Sequence, residues 1–314
     1  MSDPAGEHSR AATDKAGVQR TFKVLLAAGK GWNDDNVFKH SAAVSFYTLF
    51  SLAPIVIIAV SIAGFFLGRD VAAQQFAAQI SELVGKDSAT MIQSTVQASE
   101  TMSKGWISTA IGVGVLLVGA TSVFAQLQDS LNQIWGVKAE PARSGWMVML
   151  FQRLISFGMV LTVGFLLLVS LVVSTVIQAM LHSANGKLTV SPAIAQGIDL
   201  VIALAVITVL FAALFKFLPD VVLPWRSIWG SAFLTAVLFG GGRFLIALYL
   251  GHSNVASVYG AAGSLVALLV WIYYSCAIMF FGVEYLRAGR EEDGMPVKPK
   301  KTAVLVREEL VGAQ

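Results

Sequence analysis

Charge is what this 314-residue sequence has least of: Asp, Glu, Lys and Arg together make up 13% of it, against 56% hydrophobic residues. A water-soluble globule of this size cannot hide so much apolar surface, and that class is excluded. Cysteine is almost missing. The one present, Cys276, lies in an apolar run, so no intramolecular disulfide, thiolate metal cluster or redox pair is available, and it reads as a small buried apolar residue. The four histidines, His8, His40, His182 and His252, form no closely spaced His/carboxylate motif of the kind a metal-dependent hydrolase needs. A phosphate-binding G-x-x-x-x-G-K-[ST] loop, a G-x-S-x-G elbow and a Cys/His nucleophile pair are absent as well. GGGRF at 240–244 has consecutive glycines but lies inside an apolar run. The sequence therefore predicts no enzyme, no metal and no cofactor, and offers no basis for nucleic-acid binding.

What the chain has in abundance is long apolar runs. Six of them, at about 42–68, 105–128, 150–180, 194–217, 228–250 and 261–286, each approach or exceed the roughly twenty residues that a 30 Å hydrocarbon layer requires. The expected fold is an all-α integral membrane bundle of six transmembrane helices. Residues 1–19 lack the apolar core of a signal peptide and read as a disordered, solvated tail. Residues 20–40 mix aromatics, aliphatics and both charges, as expected of an amphipathic helix lying in the headgroup layer. The transmembrane domain then occupies 20–290, and 291–314 form a C-terminal tail. The second run continues into AQLQDSLNQIW, whose Gln126, Gln128, Asp129, Asn132 and Gln133 signal emergence into water, with Trp135 suited to the interface. A polar loop at 69–104 is expected to hold one or two amphipathic helices, and no internal or inverted repeat is visible.

Lysine and arginine decide the orientation, because positive loops stay cytoplasmic. Seventeen fall in the N-terminal segment, the second-to-third connection, the fourth-to-fifth turn and the C-terminal tail; only Arg69, Lys86, Lys104 and Lys187 fall on the other side, with Arg243 inside a span. Both termini are expected in the cytoplasm.

Four stretches resemble one family when taken together: SAAVSFYTLFSLAPIV at 41–56, ATSVFAQLQDSLNQIWGV at 120–137, FKFLPD at 215–220, and YGAAGSLVALLVWIYYSCAIMFFGVEY at 259–285. They resemble the YihY/virulence-factor-BrkB family of bacterial inner-membrane proteins, once labelled ribonuclease BN. The resemblance runs from about residue 20 to 290 and implies a six-helix protein of the bacterial inner membrane, with both ends inside and envelope or transport roles. It implies little chemistry, and the histidine pattern gives the ribonuclease label no support. Gly282-Val283-Glu284 stands where the family more often has Gly-Ala-Glu.

Ionisable residues inside spans are costly, roughly 2.5–3.5 kcal/mol each at a helix centre, and usually face protein or water. Arg243 is the deepest, about 12 Å below the outer end of its span by a 1.5 Å rise, and Asp199 is about 7 Å below the outer end of its own, a depth-matched pair. Lys216 and Glu284 share a level near the cytoplasmic end, as do Asp129 and Arg153. The alternative is that Arg243 snorkels toward headgroups and the others only mark interfaces. Pro54 should kink the first span and free a carbonyl, with Ser45, Tyr47, Thr48 and Ser51 available to satisfy it or to line a polar groove. Ala232, Ala236 and Gly240 form a small-residue stripe suited to helix packing, Gly260, Gly263 and Ser264 allow close contact at the start of the last span, and Trp271, Tyr273 and Tyr274 cluster near mid-membrane.

The functional expectation is a transporter of a lipid or anionic amphiphile, with Arg243, Asp199, Lys216, Glu284, Pro54, Tyr47 and Ser51 as candidate cavity residues. Membrane lipids are the expected partners, with a homo-oligomer possible. The alternative is a non-transporting scaffold whose basic tail, KPKK at 298–301, binds anionic lipid or a protein.

Overall fold

A computed structural model describes residues 4–68, 71, 74, 106–139, 192–252 and 263–306. The span expected at 150–180, Arg153, His182, Tyr259 and Gly260, and all but two residues of the expected loop at 69–104 lie outside the described residues. Among the described residues are six helices and two short strands: α1 Pro4–Asp34, α2 Val37–Leu67, α3 Trp106–Ile134, β1 Val137–Ala139, α4 Pro192–Phe217, α5 Trp225–His252, α6 Gly263–Glu292 and β2 Ala303–Leu305. Three of them contain segments long and apolar enough to cross a membrane, Leu200–Phe217, Trp225–Ile246 and Leu265–Glu292.

The helices begin and end where local chemistry dictates. Proline with its fixed φ suits the first turn of α1, and the Ala-, Lys- and Arg-containing stretch behind it favours helix, so the segment expected as a disordered tail at 1–19 is helical from Pro4. Asn36 adopts a left-handed conformation, φ 52° and ψ 42°, which its short polar side chain tolerates; it stops α1 and lets α2 start at Val37. Gly136 closes α3 at φ 62°. Gly294, at φ 66°, closes α6 with paired bonds from its N–H to Glu291 O at 3.0 Å and from Met295 N–H to Arg290 O at 2.8 Å, the two-bond pattern that satisfies the last carbonyls of a helix.

α4 packs on α5, α5 on α6, α6 on α2, and α2 on α3. α1 runs antiparallel along the C-terminal half of α6: Arg20 pairs with Asp293, Val24 and Ala28 pack on Ala288, and Trp32 Nε1 donates to Ala277 O at 3.1 Å. The α5–α6 contact is close because both helices present small residues. A Cβ on Gly282 would stand 1.8 Å from Thr235 Oγ1, and one on Gly242 2.5 Å from the Tyr274 ring. The expected stripe holds for Ala232 and Ala236, which are fully buried, but Gly240 is exposed. A strict four-residue repeat drifts about 40° per step around a helix, and the seam follows Thr235, Phe239, Gly242 and Ile246, a heptad-like spacing that stays on one face.

The expected C-terminal tail is also part of the fold. After α6 the chain turns back, and β2 pairs antiparallel with β1, Val137 opposite Leu305 and Ala139 opposite Ala303. Before that it is tied to the α4–α5 turn through Val222 N–H to Lys298 O and Lys300 N–H to Asp220 O, both 2.8 Å. This strap, residues 295–306, covers the end of the bundle where α3 and α6 finish. The polar run at 126–135 emerges into water only in part: Asp129 and Gln133 are exposed as expected, whereas Ser130, Asn132, Ile134 and Trp135 are buried beneath the strap and the α4–α5 turn.

Candidate functional site

At the strapped end, the polar residues of five segments converge. Arg287 on α6 is the hub: its Nη1 donates to Asp35 Oδ2 at 2.5 Å and to Ile134 O at 2.6 Å, and its Nε to Glu291 Oε1 at 3.1 Å. Ile134 O is one of the four carbonyls that the end of a helix leaves without an intrahelical partner. One guanidinium thus fastens the α1–α2 turn and the end of α3 to α6.

One turn earlier, Glu284 is 2% exposed. Its Oε2 is 3.9 Å from Arg287 Nη1, and the backbone of Gly31 packs so tightly against it that a Cβ there would come within 2.5 Å of the oxygen. Glu284 Oε1 is buried without a hydrogen-bond partner. Arg290, 7% exposed, is in a similar state: its Nη2 donates to Pro296 O at 3.4 Å and Nη1 lies 3.9 Å from Met295 Sδ, while Nε has no partner. Beside the cluster, His40 is half-buried with its ring edge-on to Phe280. Burial holds its pKa below 6.5, the positive charge of Lys39 acts in the same direction, and Asp129 and Asp35 oppose both.

The second convergence joins α3 to the α4–α5 turn. Asn132 Nδ2 donates to Asp220 Oδ2 at 2.9 Å while Asp220 N–H donates to Asn132 Oδ1 at 2.7 Å, and Gln128 Nε2 adds a 3.3 Å bond to the same carboxylate oxygen. Asp220 is 8% exposed, so its charge is satisfied from inside the protein. These residues come from two of the four stretches that carried the family resemblance, and Glu284 comes from a third.

The remaining candidates fall elsewhere. Arg243, on α5, is exposed and has no hydrogen bond or ion pair among the described residues. It lines a shallow crevice between α5 and α6 with Phe239, Ile246, Trp271, Tyr274 and Ile278, too narrow for a water molecule. Asp199 and Pro54 lie on α4 and α2, which both run unbroken, but their side chains lie outside the described residues. Lys216 and Glu284, expected at one level, have separate partners: Lys216 Nζ donates to Leu223 O at 2.5 Å and sits 5.7 Å from the centre of the Trp225 ring. Asp129 is exposed and accepts a 2.9 Å bond from Gln133 Nε2. Ser45 and Thr48 donate to carbonyls of their own helix, Ser51 bonds Ser122 of α3 at 2.9 Å, and Tyr47 is exposed against Phe46. These hydroxyls brace α2 and its contact with α3. Among the described residues no group of three or more His, Cys, Asp and Glu side chains could hold a metal ion.

Asn132, Asp220 and Arg290, which are buried, and Asp35 and Arg287, which are partly exposed, make up this polar network and were not singled out as a site by the sequence. Arg287 and Arg290 counted there only as orienting charges. The one signal available was the density of amides at 126–133, which reads equally well as a solvated helix end.

The chain matches the family profile described as "Virulence factor BrkB" over residues 28–303. Among curated proteins it is 25% identical over 245 residues to a UPF0761 membrane protein of Neisseria meningitidis serogroup B, covering 77% of this chain and 57% of that one. It is 26% identical over 260 residues to a UPF0761 membrane protein of Pseudomonas paraeruginosa, covering 79% and 58%. A UPF0761 membrane protein of Verminephrobacter eiseniae is 30% identical over 176 residues, 54% of this chain and 39% of that protein. The matched region thus spans little more than half the length of the first two relatives. No solved structure matches.

Proposed function

The chain belongs to the virulence factor BrkB family of membrane proteins, and from that premise we propose that it is a six-span protein of the bacterial inner membrane that moves a lipid or anionic amphiphile across the bilayer. Its strapped end and both termini face the cytoplasm, in line with the excess of Lys and Arg there. α1 runs alongside the cytoplasmic half of α6 instead of lying flat in the headgroup layer, and Phe22 and Leu26, exposed apolar residues among those described on it, face lipid.

One observation carries the reading: the exposed guanidinium of Arg243 on an apolar helix. Counting from Trp225, where the span begins, eighteen residues of helix place Arg243 about 27 Å along it, close to the far boundary of a 30 Å hydrocarbon layer and shallower than the roughly 12 Å depth expected from the sequence. At that depth the side chain reaches phosphates of the opposite leaflet. The crevice beside it does not admit a water-sized molecule, so the substrate lies along the surface of the α5–α6 seam rather than inside it, with its headgroup on Arg243.

The test is translocation of fluorescent phosphatidylglycerol and phosphatidylcholine in proteoliposomes. Wild type should exceed protein-free vesicles, with Arg243→Ala near baseline and Arg243→Lys intermediate. Equal rates with and without protein, or an unaffected Arg243→Ala variant, overturn the reading. The scaffold alternative calls for a free basic tail, whereas the KPKK segment is hydrogen-bonded into the strap as part of the fold. Deleting 291–314 would remove β2 and expose α3, so that deletion no longer separates the two readings.

A further inference from the structure

The α4–α5 turn marks a level in the membrane independently of any charge argument. One apolar span ends at Phe217 and the next begins at Trp225, so residues 218–224 sit where hydrocarbon gives way to headgroups. At this level the exposed side chains are of two kinds. Phe217, Val222, Trp225 and Trp229 are apolar and each between 44% and 54% exposed. Phe217 packs edge-on to Trp225 at 6.0 Å, and Trp225 stacks on Trp229 at 6.0 Å. Large amphipathic rings left open at this depth are the usual contacts of a lipid interface.

The other kind is cationic. Lys216 and Arg226 belong to the helices flanking the turn, and the backbone bonds that tie the strap to Val222 and Asp220 bring Lys298, Lys300 and Lys301 alongside. The only acidic residue in the turn, Asp220, points inward to Asn132 and Gln128. Lys216 Nζ and Lys300 Nζ are held on the turn by Leu223 O and Phe217 O, at 2.5 and 3.2 Å. Each ammonium has three donors, and these bonds use one of them on each. The two charges feel each other: burial first, and then Lys216, lower the pKa of Lys300, with Asp220 opposing. A phosphate between them would relieve that repulsion.

We propose that the α4–α5 turn and the strap together form a docking site for the headgroup of an anionic phospholipid, with Lys216 and Lys300 on the phosphate, Arg226 at its rim and the Phe217–Trp225–Trp229 face against the upper acyl chain. Free phosphate shares the first half of this chemistry but makes no use of the exposed aromatic face, and that face commits the site to lipid. The site lies at the opposite end of α5 from Arg243, and its occupancy does not depend on translocation.

The purified full-length chain in neutral detergent micelles is heated with added phosphatidylglycerol, phosphatidylcholine or inorganic phosphate, and lipid retained per protein is counted by native mass spectrometry. Phosphatidylglycerol should raise the wild-type Tm and stay bound, whereas the other two should do neither. In Lys216→Gln/Lys300→Gln both effects should disappear. Because those lysines also hold backbone carbonyls, Arg226→Gln, at an exposed position, is the second variant and should reduce phosphatidylglycerol retention without changing the lipid-free Tm. Equal responses to phosphatidylcholine, a response to inorganic phosphate as large as to phosphatidylglycerol, or unchanged retention in Arg226→Gln would overturn the proposal. None of these readouts measures flux, so the site and the transport reading fail separately.

Discussion

Replacing Gly282 by alanine tests the close contact between α5 and α6, and two effects of opposite sign compete in it. Alanine is a better helix former than glycine by about 1 kcal/mol, so an unconstrained site would gain stability. At Gly282, however, the added methyl would stand 1.8 Å from Thr235 Oγ1, 3.0 Å from Thr235 Cβ and 3.2 Å from Phe215 Cζ. Ordinary carbon contacts lie at roughly 3.5–4.0 Å. Thr235 and Phe215 are both essentially buried, so neither can swing into open space. Overpacking of this kind costs about 1–3 kcal/mol, and with both neighbours held the upper end applies. The net expectation is a loss of about 2 kcal/mol, near thirty-fold in the folded-to-unfolded ratio. Thr235→Ala removes the clashing oxygen but leaves Cβ in place, so Gly282→Ala/Thr235→Ala should recover part of the loss and show a coupling energy of about 1 kcal/mol. Reversible unfolding of the full chain in micelles, followed by helical circular dichroism, measures both. A Gly282→Ala variant as stable as wild type, or more stable, would refute the close approach of α5 and α6 and with it the seam that Arg243 borders.

Arg287→Met should destabilise the strapped end by at least the roughly 1.5–3 kcal/mol of one hydrogen bond to a charged group, since Asp35 and Ile134 O both lose their donor; an unchanged unfolding midpoint would show that Arg287 is not the hub. Asn132→Asp keeps the shape but turns an amide donor into a carboxylate facing Asp220, and is expected to lower the Tm more than Asn132→Ala; the reverse order would count against the reciprocal pair. His40 has a folded-state pKa below its unfolded 6.5, so the unfolded chain binds the proton more readily and stability falls as pH drops through 6.5. That acid loss should flatten in His40→Gln, and an identical pH profile for the two proteins would exclude His40 as its source.

The membrane character of the chain was legible because it depends on composition and run length, which packing does not alter. Helix positions followed for the same reason: α2, α3, α4, α5 and α6 each overlap an apolar run marked out in the sequence. Ala232 and Ala236 were readable as packing positions, whereas Gly240 was not, since the four-residue pattern says nothing about which face a straight helix turns to its neighbour at the next turn. Gln128 and Asn132 misled for a related reason. A polar residue at a helix end has the same composition signature whether water or Asp220 receives its hydrogen bonds.

Sequence alone determined the solvent of this protein and the family it resembles, because hydrocarbon rejects charge wherever the chain places it and the resembling stretches are local. Tertiary structure decided which charges meet. Arg287 reaches Asp35 across 252 positions because α1 packs back along α6, and Lys300 reaches Phe217 across 83 because the strap returns over the helix ends; neither meeting is written in local sequence.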